Sequence, residues 1–163
     1  MRMRRSLGVA MLVTGMLAAA APARADITGF LGLAGGPSVR GARGLALGVG
    51  LIIVGVEFEY SEIVEDVESG APRLRTGMVN GLVQTPIPIA GAQFYATAGG
   101  GVYTEELGSL SETHVGVNFG GGVKWKLVGP LRLRFDYRLI RLAGSPIAAD
   151  VVHRFYVGAN IKF

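Results

Sequence analysis

Residues 131–141 read LRLRFDYRLIR. Alternate positions separate into Leu131, Leu133, Phe135, Tyr137 and Leu139 on one side and Arg132, Arg134, Asp136, Arg138 and Ile140 on the other. A period of two puts these sets on opposite faces of a β-strand, so one face wants an apolar surround and the other carries charge. The same parity organises three more stretches. In 53–61, Val54, Val56, Phe58 and Tyr60 oppose Gly55, Glu57, Glu59 and Ser61. Val115, Val117, Phe119, Val123 and Trp125 oppose Gly116, Asn118, Gly120, Gly122, Lys124 and Lys126. The final HRFYVGANIKF, 153–163, sets Phe155, Val157, Ala159, Ile161 and Phe163 against Arg154, Tyr156, Gly158, Asn160 and Lys162. Only 73–85 is blurred, with Met78 and Leu82 on the same parity as Asn80 and Gln84.

Helix is disfavoured by the 26 glycines, which interrupt nearly every apolar run. The best helical rival is GLALGVGLIIVGV, 44–56, bounded by Arg43 and Glu57 and shorter than the roughly 20 residues of a helical membrane span. Strands are expected at 27–35, 44–51, 53–62, 73–85, 92–103, 113–126, 131–142 and 151–163. Short connections (51–53, 86–91, 127–130) alternate with longer ones (36–43, 63–72, 104–112, 143–150), as in an up-and-down meander with its tight turns at one end.

The N-terminus indicates the compartment. Arg2, Arg4 and Arg5 precede an uncharged run from Ser6 to Ala21, and Ala23-Arg24-Ala25 follows Pro22 as a small-x-small site. Residues 1–25 are therefore expected to be a secretory signal peptide cut after Ala25, leaving 26–163 as one domain. Cleavage also removes the charge excess. The 16 Lys and Arg less Arg2, Arg4, Arg5 and Arg24 leave 12, against 12 Asp and Glu. A neutral mature chain gives no basis for a nucleic-acid partner. With no cysteine there is neither a disulfide framework nor a thiolate metal site.

Two closed barrels fit the alternation, a soluble periplasmic ligand-binding barrel with its apolar face inside and a membrane barrel with that face outside. A glycine-rich polar face, apolar sets about ten residues long and aromatics near strand ends favour the second, an all-β, eight-stranded, antiparallel up-and-down transmembrane β-barrel. Phe94, Trp125 and Phe163 are then expected at the short-turn interface and Tyr60 and Tyr137 at the long-loop interface. An eight-stranded barrel is only wide enough for its own side chains. Glu57, Glu59, Lys124, Lys126, Arg132, Arg134, Asp136, Arg138 and Arg154 are accordingly expected to form a lumen charge network, because unpartnered buried charge is costly. With Lys162, the cations would outnumber the carboxylates, so any narrow pore would weakly favour anions.

A last strand of alternating apolar residues ending on Phe163, together with the leader and eight-strand pattern, resembles the small outer-membrane β-barrels of the OmpA-like and OmpX-like kind. The resemblance implies a place in the bacterial outer membrane, contact with its lipid and lipopolysaccharide, and recognition of strand 151–163 by the barrel assembly machinery. It implies no peptidoglycan attachment, since no periplasmic domain is expected after the barrel. The expected function is non-enzymatic, contributing to envelope integrity or surface interaction, with no cofactor and no bound metal.

The loops carry acidic residues, Glu62, Glu65, Asp66 and Glu68 in one and Glu105, Glu106 and Glu112 in another. They read as a solvated rim; loops 63–72 and 104–112 are where an extracellular partner or a divalent cation would meet the chain. Arg40 and Arg43 have the chemistry to meet lipid phosphates. A lipid-A-modifying enzyme is the alternative of another class. His153 lies near Asp150 and Ser145, and His114 near Ser111 and Glu112, but the His-x-Ser element expected of the lipid A deacylases is missing, with Phe at 155 and Gly at 116. Gly120–Gly122 and Gly48-Val-Gly50 match neither a P-loop nor a dinucleotide fingerprint.

Overall fold

The computed structural model describes residues 24–36, 38–144 and 150–163. Eight strands run in sequence order: β1 (Arg24–Gly35), β2 (Val39–Gly50), β3 (Val54–Ile63), β4 (Arg73–Gln84), β5 (Ala92–Leu107), β6 (Leu110–Val128), β7 (Leu131–Leu142) and β8 (Val151–Lys162). Each pairs antiparallel with its sequence neighbours, and β8 pairs with β1 to close the barrel. Closure leaves no sheet edge, which is what a backbone surrounded by hydrocarbon requires.

The apolar parity set faces outward. Leu31, Leu45, Leu47, Val56, Phe58, Val79, Val102, Val117 and Phe119 are all exposed on the exterior. Thr28, Glu57, Glu59, Ser61, Asn80, Asn118, Arg134, Asp136, Arg138, Arg154 and Asn160 are buried inside. This arrangement overturns the soluble-barrel alternative, which needs the reverse. An exterior this apolar matches hydrocarbon, and the chain is a transmembrane β-barrel.

Four strands extend well past their expected limits. β1 begins at Arg24, where Arg24 and Ala25 pair with Gly50 and Val49; the remainder of the expected leader, 1–23, lies outside the described residues. β2 begins at Val39, which shortens the expected 36–43 loop. The expected loop 104–112 is mostly hairpin: β5 continues to Leu107 and β6 resumes at Leu110, with Gly108 supplying the positive φ of 60° at the tip. Polar strand still gains ladder hydrogen bonds in water. Thr104 and Thr113 face each other with hydroxyls 3.0 Å apart. At 19 residues β6 is about 60 Å long at ~3.3 Å per residue, well beyond a tilted span.

Inward glycines make room for large side chains. A Cβ at Gly122 would overlap the Phe135 carbonyl and the Tyr95 hydroxyl, and one at Gly44 would overlap the Phe30 ring. The parity that reads as a glycine-rich face is thus a face packed by its neighbours' bulk.

Candidate functional site

The interior is layered along the barrel axis, each layer following from the inward parity of the strands. At mid-height β3 contributes Glu57, Glu59 and Ser61, and the opposite β7 contributes Arg134, Asp136 and Arg138, with Arg154 entering from β8. Arg134 clamps Glu57 with both terminal nitrogens and lies 3.0 Å from Asp136. Arg138 reaches three carboxylates, Glu57 at 2.7 Å, Asp136 at 3.0 Å and Glu59 at 3.2 Å. Arg154 closes the set, 2.6 Å from Glu59 and 2.5 Å from the Ser61 hydroxyl. None of these six charged residues is more than 3% exposed. Charges so desolvated are tolerable only because three guanidiniums meet three carboxylates across short, forked contacts.

Aromatic rings wall the network. Tyr95 donates its hydroxyl proton to Asp136 and accepts from Arg134 Nε at 2.7 Å. The Arg134 guanidinium lies over the Tyr95 ring at 4.8 Å, and Arg154 over Phe30 at 5.2 Å. Phe30 and Tyr156 stack with centroids 3.9 Å apart. Such faces add a cation–π attraction to the ion pairs these desolvated guanidiniums already make.

Toward the long-loop end the lumen turns apolar. Ile63, Leu74, Met78, Tyr103, Ile140, Leu142 and Val152 form one buried cluster with Ala34 and Ala42. Toward the short-turn end it is polar: Lys124 pairs with Asp26 at 2.7 Å, Asn160 bonds Asp26 and Thr28, and Arg132 donates to Gln93 at 2.8 Å.

The expected network is therefore divided. Glu57, Glu59, Arg134, Asp136, Arg138 and Arg154 come together; Lys124 and Arg132 form a separate lower tier. Lys126 is a correction: it keeps its register with Arg132 but sits at the open end of β6, where its side chain is exposed and joins no ion pair among the described residues. The expected cationic surplus consequently disappears from the centre. Asp26, Tyr95 and Tyr156 are partners that sequence reasoning passed over, although parity alone placed Tyr156 on the polar face.

Among the expected interface residues, Phe94 and Trp125 are outward near short turns, Phe163 lies just past β8, and Tyr60 is outward three residues from the top of β3. Tyr137 sits mid-strand instead of at the long-loop end, and a 2.7 Å bond to His153 Nδ1 satisfies its hydroxyl there. Arg40 is a second correction. Its parity turns it into the barrel mouth, where it is 5% exposed and bonds the Val64 and Pro72 carbonyls, away from any lipid phosphate.

The rim also differs from a simple acidic loop. Glu62 lies within β3 and meets Arg43 at 2.8 Å, with Arg73 and Arg75 at 3.6 and 3.8 Å; Glu106 meets Arg75 at 2.9 Å. Glu105 is buried. In loop 64–72 Asp66 receives hydrogen bonds from Ser69, which with Ser38 holds its carboxyl below the usual range against a small opposing effect of burial. Among the described residues no cluster of acidic or histidine side chains has metal-ligand geometry. His114 lies 3.7 Å from Glu112, and His153 bonds Tyr137; no serine hydroxyl is a hydrogen-bond partner of either among the described residues, and Ser145 lies outside them.

A closed meander of eight strands, apolar outside and filled by its own side chains, can be compared with solved structures. This is the fold of the small outer-membrane barrels. The chain is similar to Neisserial surface protein A (TM-score 0.69, 13% identity, covering 86% of this chain and 97% of that one). It is similar to the N-terminal β-barrel domain of OprF from Pseudomonas aeruginosa (0.64, 15%, 86% and 97%). A third is Ail, the attachment invasion locus protein of Yersinia pestis, solved with the heparin analogue sucrose octasulfate (0.57, 14%, 86% and 99%). No sequence family and no curated protein matches the chain. Identities this low carry the outer-membrane-barrel fold and nothing finer.

Proposed function

We propose that residues 1–25 export the chain and that 26–163 span the bacterial outer membrane as a closed, non-catalytic barrel serving envelope integrity or surface interaction. The observation that carries this reading is the lumen's filling: a layer of three arginines paired with three carboxylates beneath an apolar layer leaves the interior to structure. The parts free to meet a partner are then loop 64–72 and the projecting β5–β6 hairpin, which rise together at the long-loop end, where Gly108 N–H donates to Glu65 at 3.4 Å. Strand 151–163, ending on Phe163, is the segment for the assembly machinery to recognise. Lipopolysaccharide and outer-membrane lipid surround the apolar belt.

Electrophoresis of detergent-extracted outer membranes, boiled against unboiled, tests this. The account expects the protein in the outer-membrane fraction with a heat-dependent change in mobility. A soluble periplasmic protein with no shift would overturn it. For the enzyme alternative, 3-O-deacylation of lipopolysaccharide that is lost in His153→Ala or His114→Ala would do the same.

A further inference from the structure

Charge is segregated along the barrel axis. At the centre three arginines meet three carboxylates, and at the long-loop end acidic residues outnumber basic ones. At the short-turn end, among the described residues, Arg24, Lys124, Lys126, Arg132 and Lys162 share one side-chain carboxylate, Asp26. That carboxylate is already engaged by Lys124 and Asn160. Lys126, Arg132 and Lys162 have no carboxylate partner among the described residues, and with Arg24 and Phe163 they line one cleft of about 430 Å³ between the β4–β5 and β6–β7 turns. The three remain if a leader is removed after Ala25.

The same end is unusually apolar for turns. Ile52 in the first short turn, Ile87 and Ile89 in the second and Leu127, Val128 and Phe163 around the third are all at least half exposed. Turns bathed only in water have no use for such side chains, and apolar residues ringing a cationic cleft match the boundary between acyl chains and head groups. A soluble anion would account for the cations but not for the ring.

We propose that the short-turn end binds the phosphate of an anionic phospholipid head group, held by Lys126, Arg132 and Lys162, while Ile87, Ile89, Leu127 and Val128 enter the surrounding lipid. The guanidinium of Arg132 offers a fork for two phosphate oxygens and the two ammonium groups offer point charges. The proposal rests on the membrane placement proposed above. It predicts an orientation too, with the basic end against the leaflet richer in anionic phospholipid.

The test uses the full chain extracted from membranes and returned to nanodiscs of phosphatidylcholine with about one-fifth phosphatidylglycerol, followed by native mass spectrometry of the lipids retained on release. The expected result is preferential retention of phosphatidylglycerol. Lys126→Gln alone should lower retention several-fold, and the triple Lys126→Gln, Arg132→Gln, Lys162→Gln variant should abolish the preference, whereas Arg43→Gln at the other end should leave it unchanged. Equal retention of the two lipids, or a preference that survives the triple variant, overturns the proposal. So does inorganic phosphate at millimolar concentration displacing the lipid completely, which would make the site one for soluble anions. Boiled and unboiled electrophoresis of each variant separates the outcomes: a heat shift with no lipid preference refutes this inference alone, and a missing shift in the unsubstituted chain refutes the barrel placement beneath it.

Discussion

The middle and the upper part of the lumen fill the same kind of space by opposite means. At mid-height the inward positions of β3, β7 and β8 are Glu57, Glu59, Arg134, Arg138 and Arg154; one or two pleats higher they are Ile63, Ile140, Leu142 and Val152. The apolar layer tolerates exchange, because contact among such residues is non-directional and volume-limited. The charged layer does not, because each guanidinium satisfies carboxylates that water no longer reaches. Stability in the centre is thus a property of the set, and in the apolar layer it is nearer a sum of parts.

Replacing Arg138 by Ala should have the largest effect, destabilising the folded barrel by about 3–5 kcal/mol, since Glu57, Glu59 and Asp136 all lose a partner while remaining buried. Urea unfolding in lipid vesicles measures it. A loss below about 1 kcal/mol would mean that the centre is hydrated and the comparison with the upper layer false.

In the apolar layer Met78→Ala should cost about 2–4 kcal/mol through the cavity it leaves, yet Met78→Leu less than about 1.5. Arg138→Lys, equally conservative in charge, should fall well short of rescue because an ammonium cannot fork between three carboxylates. Equal tolerance at the two positions would erase the distinction between layers.

Outside the lumen, Phe58→Lys on the lipid-facing surface should cost about 2–3 kcal/mol in vesicles, a penalty that disappears if that face is in water. The smallest effect belongs to Arg43→Gln. Its pair with Glu62 is two-thirds exposed on the arginine side, so the change should stay within about 1 kcal/mol and shrink with salt.

Much of this was legible in alternation. The parity of LRLRFDYRLIR and its counterparts assigns inside and outside for β3, β6, β7 and β8, and it places Glu57 and Glu59 across from Arg134 and Arg138. Alternation fails where a strand leaves the membrane. Thr104, Glu105, Glu106 and Glu112 read as loop because charge outweighs the apolar signal, yet the ladder continues in water through cross-strand pairs that a single chain does not display. It fails again just past Lys126, where the extra residue Leu127 shifts the register before the turn. The apolar layer was hidden for a different reason: Met78 and Leu82 looked like noise on a polar face, and only the closure of the sheet gathers Met78, Ile63, Leu74 and Val152 from three strands into one cluster. Asp26 was missed because it sits at the edge of the expected leader.

The central claim is that this lumen is closed by its own side chains. Single-channel recording in planar bilayers, with protein first shown to be folded by its heat-dependent mobility, tests it most directly. The account predicts a silent membrane, with no stepwise current above that of lipid alone. Reproducible open-channel steps from the unsubstituted protein, of either ion selectivity, would contradict it and reassign the charged layer from a plug to the lining of a pore.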